Sequence, residues 1–263
     1  MIRVLVTGAA GKMGSEVVRA VSAVDGMEVV AAVDPCAAGR AVPTPDGTDV
    51  VYRAELAQAI AESSPDVMVD FTHPSVVAGN VRVALSAGVD CVVGTTGLTD
   101  ETLAELASSA PAGTCLFVAP NFALGAVLMM QFAEKAARFM PHAEVIELHH
   151  DKKADAPSGT AIRTAHLIAS ARGEAPDVPG RETENAGMEG ARGAVVDGVH
   201  VHAVRLPGLV AHQEVLFGGQ GQTLSIRHDS IDRTSFMPGV VLAVREVGAL
   251  EGLVVGLDKL MGE

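Results

Sequence analysis

Two clusters in this 263-residue chain combine residue types and spacings that can do chemistry. The longer is Glu147-Leu148-His149-His150-Asp151-Lys152-Lys153-Ala154-Asp155-Ala156-Pro157-Ser158-Gly159-Thr160-Ala161. It begins on a strand, crosses a loop and enters a helix. Two adjacent imidazoles and an ammonium supply proton donors and positive charge. Ser158 is a capping residue type, and the N–H groups of Gly159 and Thr160 open the helix, whose positive end attracts anions. Two histidines, Lys153 and a helix N-terminus together suit a small dicarboxylate.

The second cluster is Gly8-Ala9-Ala10-Gly11-Lys12-Met13-Gly14, between the first strand and the first helix. Its glycines let the backbone turn tightly and approach a pyrophosphate, which the helix N-terminus would hold. Asp34 ends the second strand, where an acid grips the adenosine ribose hydroxyls; an Asp before Pro35 is also a common strand-end turn residue. A carboxylate there repels a 2′-phosphate and favours NADH, while Lys12 and Arg40 are near enough in sequence to compensate, so NADPH stays open. Phe71-Thr72-His73-Pro74, Gly94-Thr95-Thr96-Gly97 and Ala119-Pro120-Asn121-Phe122 each follow a strand. Together they outline one edge of a crevice at the carboxyl ends of a parallel sheet.

The elements that must position these clusters follow from periodicity. Strands are expected at Val4-Leu5-Val6, Val29 to Val33, Val67 to Phe71, Cys91 to Val93 and Leu116 to Val118. Helices are expected from about Lys12, and over Glu55 to Glu62, Ser75 to Ala87 and Asp100 to Ser109. Strict alternation implies βαβ units and a Rossmann-like, doubly wound parallel sheet, an α/β fold. After Asn121 the pattern changes. A helix over Leu124 to Met140 leads to a strand at Glu144 to His149 and a further helix. Residues 173 to 193 read as a mobile, solvated loop. Strands at Val199 to Arg205, Gln213 to Phe217 and Thr223 to Arg227 read as an antiparallel sheet with one open face, part of an inserted α+β domain. A helix at Ser235 to Val247 and an apolar run at Leu253 to Leu257 lead back to the first domain. The expected division is 1–123, completed by 233–263, for the dinucleotide, and 124–232 for substrate binding and oligomerisation. The open sheet face needs a cover, and a tetramer with sheets packed together is an economical one.

A net charge of −13 opposes nucleic acid and anionic membranes as partners, since phosphate binding needs a basic face. No apolar run has the length of a membrane span, and no signal peptide precedes the first strand. Cys36, Cys91 and Cys115 are far apart, which fits buried thiols in a reducing, cytoplasmic setting. His200 and His202 share one face of a strand but lack a third ligand, so no metal site is expected. Met129, Met130 and Met140 have core spacing.

The long motif, with the Gly8 loop, Phe71-Thr72-His73-Pro74, Gly94-Thr95-Thr96-Gly97, Ala119-Pro120-Asn121-Phe122 and Arg233-Thr234-Ser235-Phe236, resembles the 4-hydroxy-tetrahydrodipicolinate (dihydrodipicolinate) reductases of lysine and diaminopimelate synthesis. The resemblance covers essentially the whole chain. It implies His149 as general acid/base and Lys153 as proton donor. It implies that His150, Ser158, Gly159 and Thr160 hold the substrate carboxylates. Gly8, Ala9, Ala10, Gly11, Lys12, Met13, Asp34, Gly94, Thr95, Thr96, Ala119, Pro120, Asn121 and Phe122 would bind NADH, NADPH or both, in a homotetramer joined through the second domain's sheet. Two departures stand out: Asp151-Lys152 in the variable part of the motif, and Pro35-Cys36 after Asp34, without the Arg of some NADPH-favouring relatives. The remaining readings are another two-domain dehydrogenase of an amino-acid pathway and a non-catalytic dinucleotide sensor. An aspartate semialdehyde dehydrogenase would need a nucleophilic Cys, and Cys91 and Cys115 lie in apolar strands.

Overall fold

Val4, Leu5 and Val6 are fully buried in β1 (Ile2–Thr7), an apolar run of the kind a parallel strand covered on both faces requires. The computed structural model describes residues 1–45, 47, 50–174, 176 and 190–262. The chain divides into two compact units, Met1–Leu124 with Arg233–Glu263, and Gly125–Asp232. After β1 the first unit runs through α1 (Gly14–Ser22), β2 (Met27–Val33), β3 (Tyr52–Arg53), α2 (Leu56–Ser63), β4 (Val67–Asp70), α3 (Pro74–Ser86), β5 (Asp90–Val93), α4 (Asp100–Ser108) and β6 (Cys115–Val118). α5 (Leu124–Ala137) leads into the second unit, which continues with β7 (His142–His149), α6 (Gly159–Arg172), β8 (Ala194–Val196), β9 (Val199–Arg205), β10 (Ala211–Gly219) and β11 (Gln222–Ser230). The tail supplies α7 (Met237–Glu246) and β12 (Gly252–Val255) to the first unit.

The first sheet has the order β12-β6-β5-β4-β1-β2-β3 and every pairing in it is parallel. This is the expected Rossmann-like sheet. The chain winds outward from β1 in one direction and from β4 in the other, so the strand order reverses between these neighbours. Ligands of open parallel sheets bind beyond the carboxyl ends at such a switch point. α2, α3 and α4 bury Ile60, Val81, Leu85, Leu103 and Leu106 against Leu5, Met68, Cys91 and Leu116 of the strands. Each such side chain contributes about 1.5–3 kcal/mol relative to exposure. β12 pairs with β6 from Gly252 opposite Cys115 to Val255 opposite Val118, so the apolar tail rejoins the first sheet.

The second sheet has the order β11-β10-β7-β9-β8. It is mixed, which corrects the expectation of an antiparallel sheet. β7 and β9 run parallel, Glu144 opposite His200 to His149 opposite Arg205, while the other pairings are antiparallel. Parallel neighbours need a long crossover, and α6 lies in it. Alternation along β9 reports burial on one face but not the direction of the neighbouring strand. One face of the sheet packs Val145, Val199, Val201, Val215 and Phe217 against Ala133 and Ala137 of α5 and Ala161, Ala165 and Ile168 of α6.

Element ends also shift. α1 starts at Gly14, not Lys12; α5 stops at Ala137, short of Met140; and a 3-10 turn over Arg233–Phe236 precedes α7. β3 and β8 were not anticipated, being too short to carry a period. Of the loop read at 173 to 193, residues 175 and 177–189 lie outside the described residues. No helix among the described residues is long and apolar enough to cross a membrane.

Candidate active site

The Gly8 loop sits on β1, next to β4. Gly8 has φ +67°, and a Cβ there would run into the Phe71 carbonyl. A Cβ on Gly14 would meet the Gly8 carbonyl, so α1 can start this close to β1 only with glycine. Ala9 donates to the Val33 carbonyl at 3.3 Å, and Gly11 to the Gly8 carbonyl at 2.9 Å. Among the described residues the N–H groups of Lys12 and Met13 find no acceptor. Asp34 faces this loop from the end of β2: Oδ2 accepts from Ala10 N–H and Oδ1 from Cys36 N–H, both at 3.1 Å. A pyrophosphate fits the free N–H groups and the room the glycines leave; a ribose fits the Asp34 carboxylate beside them.

The later loops are gathered by a residue that the sequence reading missed. Asp70, fully buried at the end of β4, accepts from Thr7 Oγ1 (2.8 Å), Thr72 N–H (3.1 Å), Thr72 Oγ1 (2.8 Å), Thr95 Oγ1 (2.6 Å) and Asn80 Nδ2 (2.8 Å). One carboxylate therefore ties the ends of β1, β4 and β5 together. Thr95 Oγ1 also accepts from Thr72 N–H at 2.7 Å. The Thr95 hydroxyl thus serves the loop. Phe122 is buried against Phe71 and Phe117, with ring centroids 5.7 and 6.2 Å apart. Ala119 is buried too, and Asn121 Oδ1 accepts from Ala123 N–H at 2.9 Å. Gly94 leaves the space that the Phe71 ring fills. The signal for Asp70 was an acid ending a wholly apolar strand.

In the second unit the long motif starts on the helix-covered face of its sheet. Glu147 and His149 alternate with outward residues along β7, so both side chains share one face. Glu147 has no exposed surface. Its Oε2 is 2.6 Å from His149 Nδ1 and 2.7 Å from Arg205 Nη1; its Oε1 accepts from Arg205 Nη2 at 2.7 Å and Ser158 N–H at 3.0 Å. Burial alone would raise the Glu147 pKa; the hydrogen bonds from His149, Arg205 and Ser158 outweigh it and bring the carboxyl down from 4.5 to about 2. The bond to Glu147 raises the Arg205 pKa in turn.

Ser158 caps α6, its Oγ accepting from Ala161 N–H at 3.2 Å, an arrangement worth about 1 kcal/mol to the helix. With its N–H on Glu147, Ser158 is buried and shapes the helix entrance, beside which Gly159 is exposed. Lys153 Nζ bonds both oxygens of Asp155, at 2.7 and 2.9 Å, and Arg205 Nη2 reaches the Asp155 carbonyl at 2.7 Å. The Lys153 bond holds the Asp155 carboxyl below the usual range. His150 is exposed at the start of the loop. The sequence reading gave Glu147, Asp155 and Arg205 no role. Glu147 was legible as the residue two before His149 on the same strand face, whereas nothing local marks Arg205, which is 58 residues away.

On the opposite face, His200 Nδ1 lies 2.8 Å from the Arg192 carbonyl and His202 Nε2 2.8 Å from Glu144, which also meets Arg192. Burial raises both strand thiols, Cys91 well above its ordinary value and Cys115 to about 11, which disfavours thiolate chemistry at either.

Residues 2–122 match the family model described as dihydrodipicolinate reductase, N-terminus, and residues 125–261 the model for its C-terminus. The chain belongs to the dihydrodipicolinate reductase family. It is 51% identical to the 4-hydroxy-tetrahydrodipicolinate reductase of Mycobacterium sp. (strain KMS) over 262 residues, covering 99% of each chain. With that of Nocardia farcinica it is 52% identical over 269 residues, covering 99% of this chain and 98% of the other. The dipicolinate-bound dihydrodipicolinate reductase of Paenisporosarcina sp. TG-14 superposes with a TM-score of 0.85 at 43% identity, covering 99% of this chain and 100% of that one. An amine dehydrogenase from Mycobacterium smegmatis, at 15% identity and a TM-score of 0.65, shares the fold. As a dihydrodipicolinate reductase family member, the chain has its dinucleotide-binding domain at the N-terminus, where the Gly8 loop and Asp34 lie.

Proposed function

We propose that this chain reduces 4-hydroxy-tetrahydrodipicolinate to tetrahydrodipicolinate with NADH or NADPH, in lysine and diaminopimelate synthesis. The observation that carries the reading is the His149–Thr160 motif at the end of β7 and the N-terminus of α6, on a chain whose two halves both match the family. Lys12, Met13 and Asp34 hold the dinucleotide. When bound, the nicotinamide supplies a hydride to the far carbon of a conjugated C=C–C=N system left after loss of water, and one proton restores the imine.

The chain's own residues do the rest. His149 delivers the proton, and its Nε2 is the ring nitrogen not turned to Glu147. His150, Lys153 and the amide end of α6 receive the substrate carboxylates. Lys153 already faces a carboxylate, so binding exchanges Asp155 for the substrate at the ammonium. Cationic groups around the ring stabilise the charge that develops toward its nitrogen. A small dicarboxylate is supported by the dipicolinate held by the Paenisporosarcina protein.

The reading includes a cytoplasmic homotetramer joined through the uncovered face of the second sheet. Supporting it, Val195 is 61% exposed and Leu216 36% exposed. Sedimentation would show a tetramer; a monomer would reject that part alone.

The deciding experiment follows oxidation of NADH and of NADPH, separately, with substrate made in situ by its upstream synthase. Substrate-dependent oxidation with either is expected, and the ratio of the two rates reports what Asp34 and Lys12 do between them. No oxidation by a folded chain that binds NADH would leave a dinucleotide-binding protein with another substrate.

A further inference from the structure

Glu147, a fully buried carboxylate with four hydrogen-bond contacts, touches the proposed proton donor without itself belonging to the motif's donors. Resting on the reading of His149 as that donor, we propose that Glu147 is a positioning residue for proton delivery: its carboxylate takes the Nδ1–H of His149, so that Nε2 is the nitrogen that carries the transferred proton, and Arg205 holds the carboxylate in place.

An ionised carboxylate only accepts, so the 2.6 Å contact between Glu147 Oε2 and His149 Nδ1 requires the proton on Nδ1. Glu147 stays ionised in a site with no exposed surface because Arg205 contributes two nitrogens and Ser158 its N–H. With Nδ1–H fixed, the imidazolium releases its Nε2 proton to the substrate carbon and becomes the neutral Nδ1–H tautomer. The bond to Glu147 is the same before and after, and the ring need not turn. A proton from solvent then restores the imidazolium.

The surroundings agree with this role. Glu147 is on His149's own strand, and Arg205 comes from β9, directly opposite His149 in the register. From the loop come His150, Lys153 and Asp155. β10 places Ala211 opposite His149 and Gln213 opposite Glu147, neither of them ionisable. Because Glu147 Oε1 also takes the Ser158 N–H, one carboxylate sets both the imidazole and the end of α6 that is to meet the substrate anion. Arg205 extends the link to the Asp155 carbonyl, in the loop that carries Lys153.

The test begins with the wild-type full chain. The 15N spectrum of its histidine rings, with and without dipicolinate and assigned by loss of one signal in His149→Gln, should show the neutral His149 ring as the Nδ1–H tautomer. An Nε2–H tautomer would overturn the proposal, and this measurement needs no variant at Glu147. Glu147→Gln should then lower kcat by about 10²-fold, the low end of what proton transfer supplies. KM for NADH should not change, and Glu147→Asp should restore part of kcat. A fall in kcat matched by an equal loss of NADH affinity, with no recovery in Glu147→Asp, would mean that Glu147 merely supports the fold. Full turnover in His149→Gln would instead reject the proton-donor reading, whatever tautomer is seen.

Discussion

Arg205 meets both oxygens of Glu147, Nη1 to Oε2 and Nη2 to Oε1, each at 2.7 Å. This two-pronged pair is the strongest kind of carboxylate contact, and it is placed where Glu147 has no exposed surface. A consequence is a defined acid sensitivity. The folded pKa of Glu147 is depressed from 4.5 to about 2, so its stabilisation is present above about pH 4.5 and is lost as pH falls toward 2. The shift corresponds to roughly 3 kcal/mol. The Tm difference between wild type and Glu147→Gln should be largest above pH 5 and shrink steadily between about pH 4.5 and 2. A difference that stays flat across that window would show that the Glu147 pKa is ordinary.

His149→Gln should reduce kcat by about 10²- to 10⁴-fold, the usual contribution of a positioned acid. Dissociation of NADH, followed by its fluorescence, should be unchanged, because the Gly8 loop belongs to the other unit. Parallel loss of cofactor affinity would argue against a role confined to proton transfer.

Lys153→Met should weaken dipicolinate binding by about 10- to 100-fold, as expected for a lost hydrogen bond to a charged group. Tm should move little: Asp155 is 58% exposed, and pairs of this kind contribute about 0–1 kcal/mol. Calorimetric titration and a melting curve on one preparation separate the two. Unchanged dipicolinate affinity would remove Lys153 from the anion site.

Gly14→Ala should cut NADH affinity at least about tenfold, or 1.4 kcal/mol. The added methyl meets the Gly8 carbonyl, so either the loop or the start of α1 must shift. Gly26→Ala is a control: its φ of +88° carries backbone strain, but nothing lies within 4 Å of the added Cβ. That variant should lower Tm and leave NADH affinity alone. Equal effects on NADH binding would mean that the Gly14 result reports strain and not the loop's shape.

The amino-acid sequence by itself determined what depends on neighbours in the chain. Gly8 to Gly14 between an apolar strand and a helix specifies a tight turn because only glycine can lie where a Cβ would meet backbone. Pro157-Ser158-Gly159 specifies a capped helix start, and Ser158 does cap Ala161. His149, His150 and Lys153 are close in sequence, so their presence near one helix end needed no tertiary information. The alternation of strand and helix gave the parallel sheet for the same reason. Tertiary structure alone decided what depends on residues that are far apart in sequence. Arg205 reaches Glu147 only because β9 runs parallel to β7, and alternation of apolar residues carries no strand direction. Asp70 gathers Thr7, Thr72 and Thr95 only once three strand ends lie side by side. Periodicity records which face of an element is buried; it does not record which distant charge waits there. A buried carboxylate must find its partners, and folding is what brings Arg205 to Glu147 and the three threonines to Asp70.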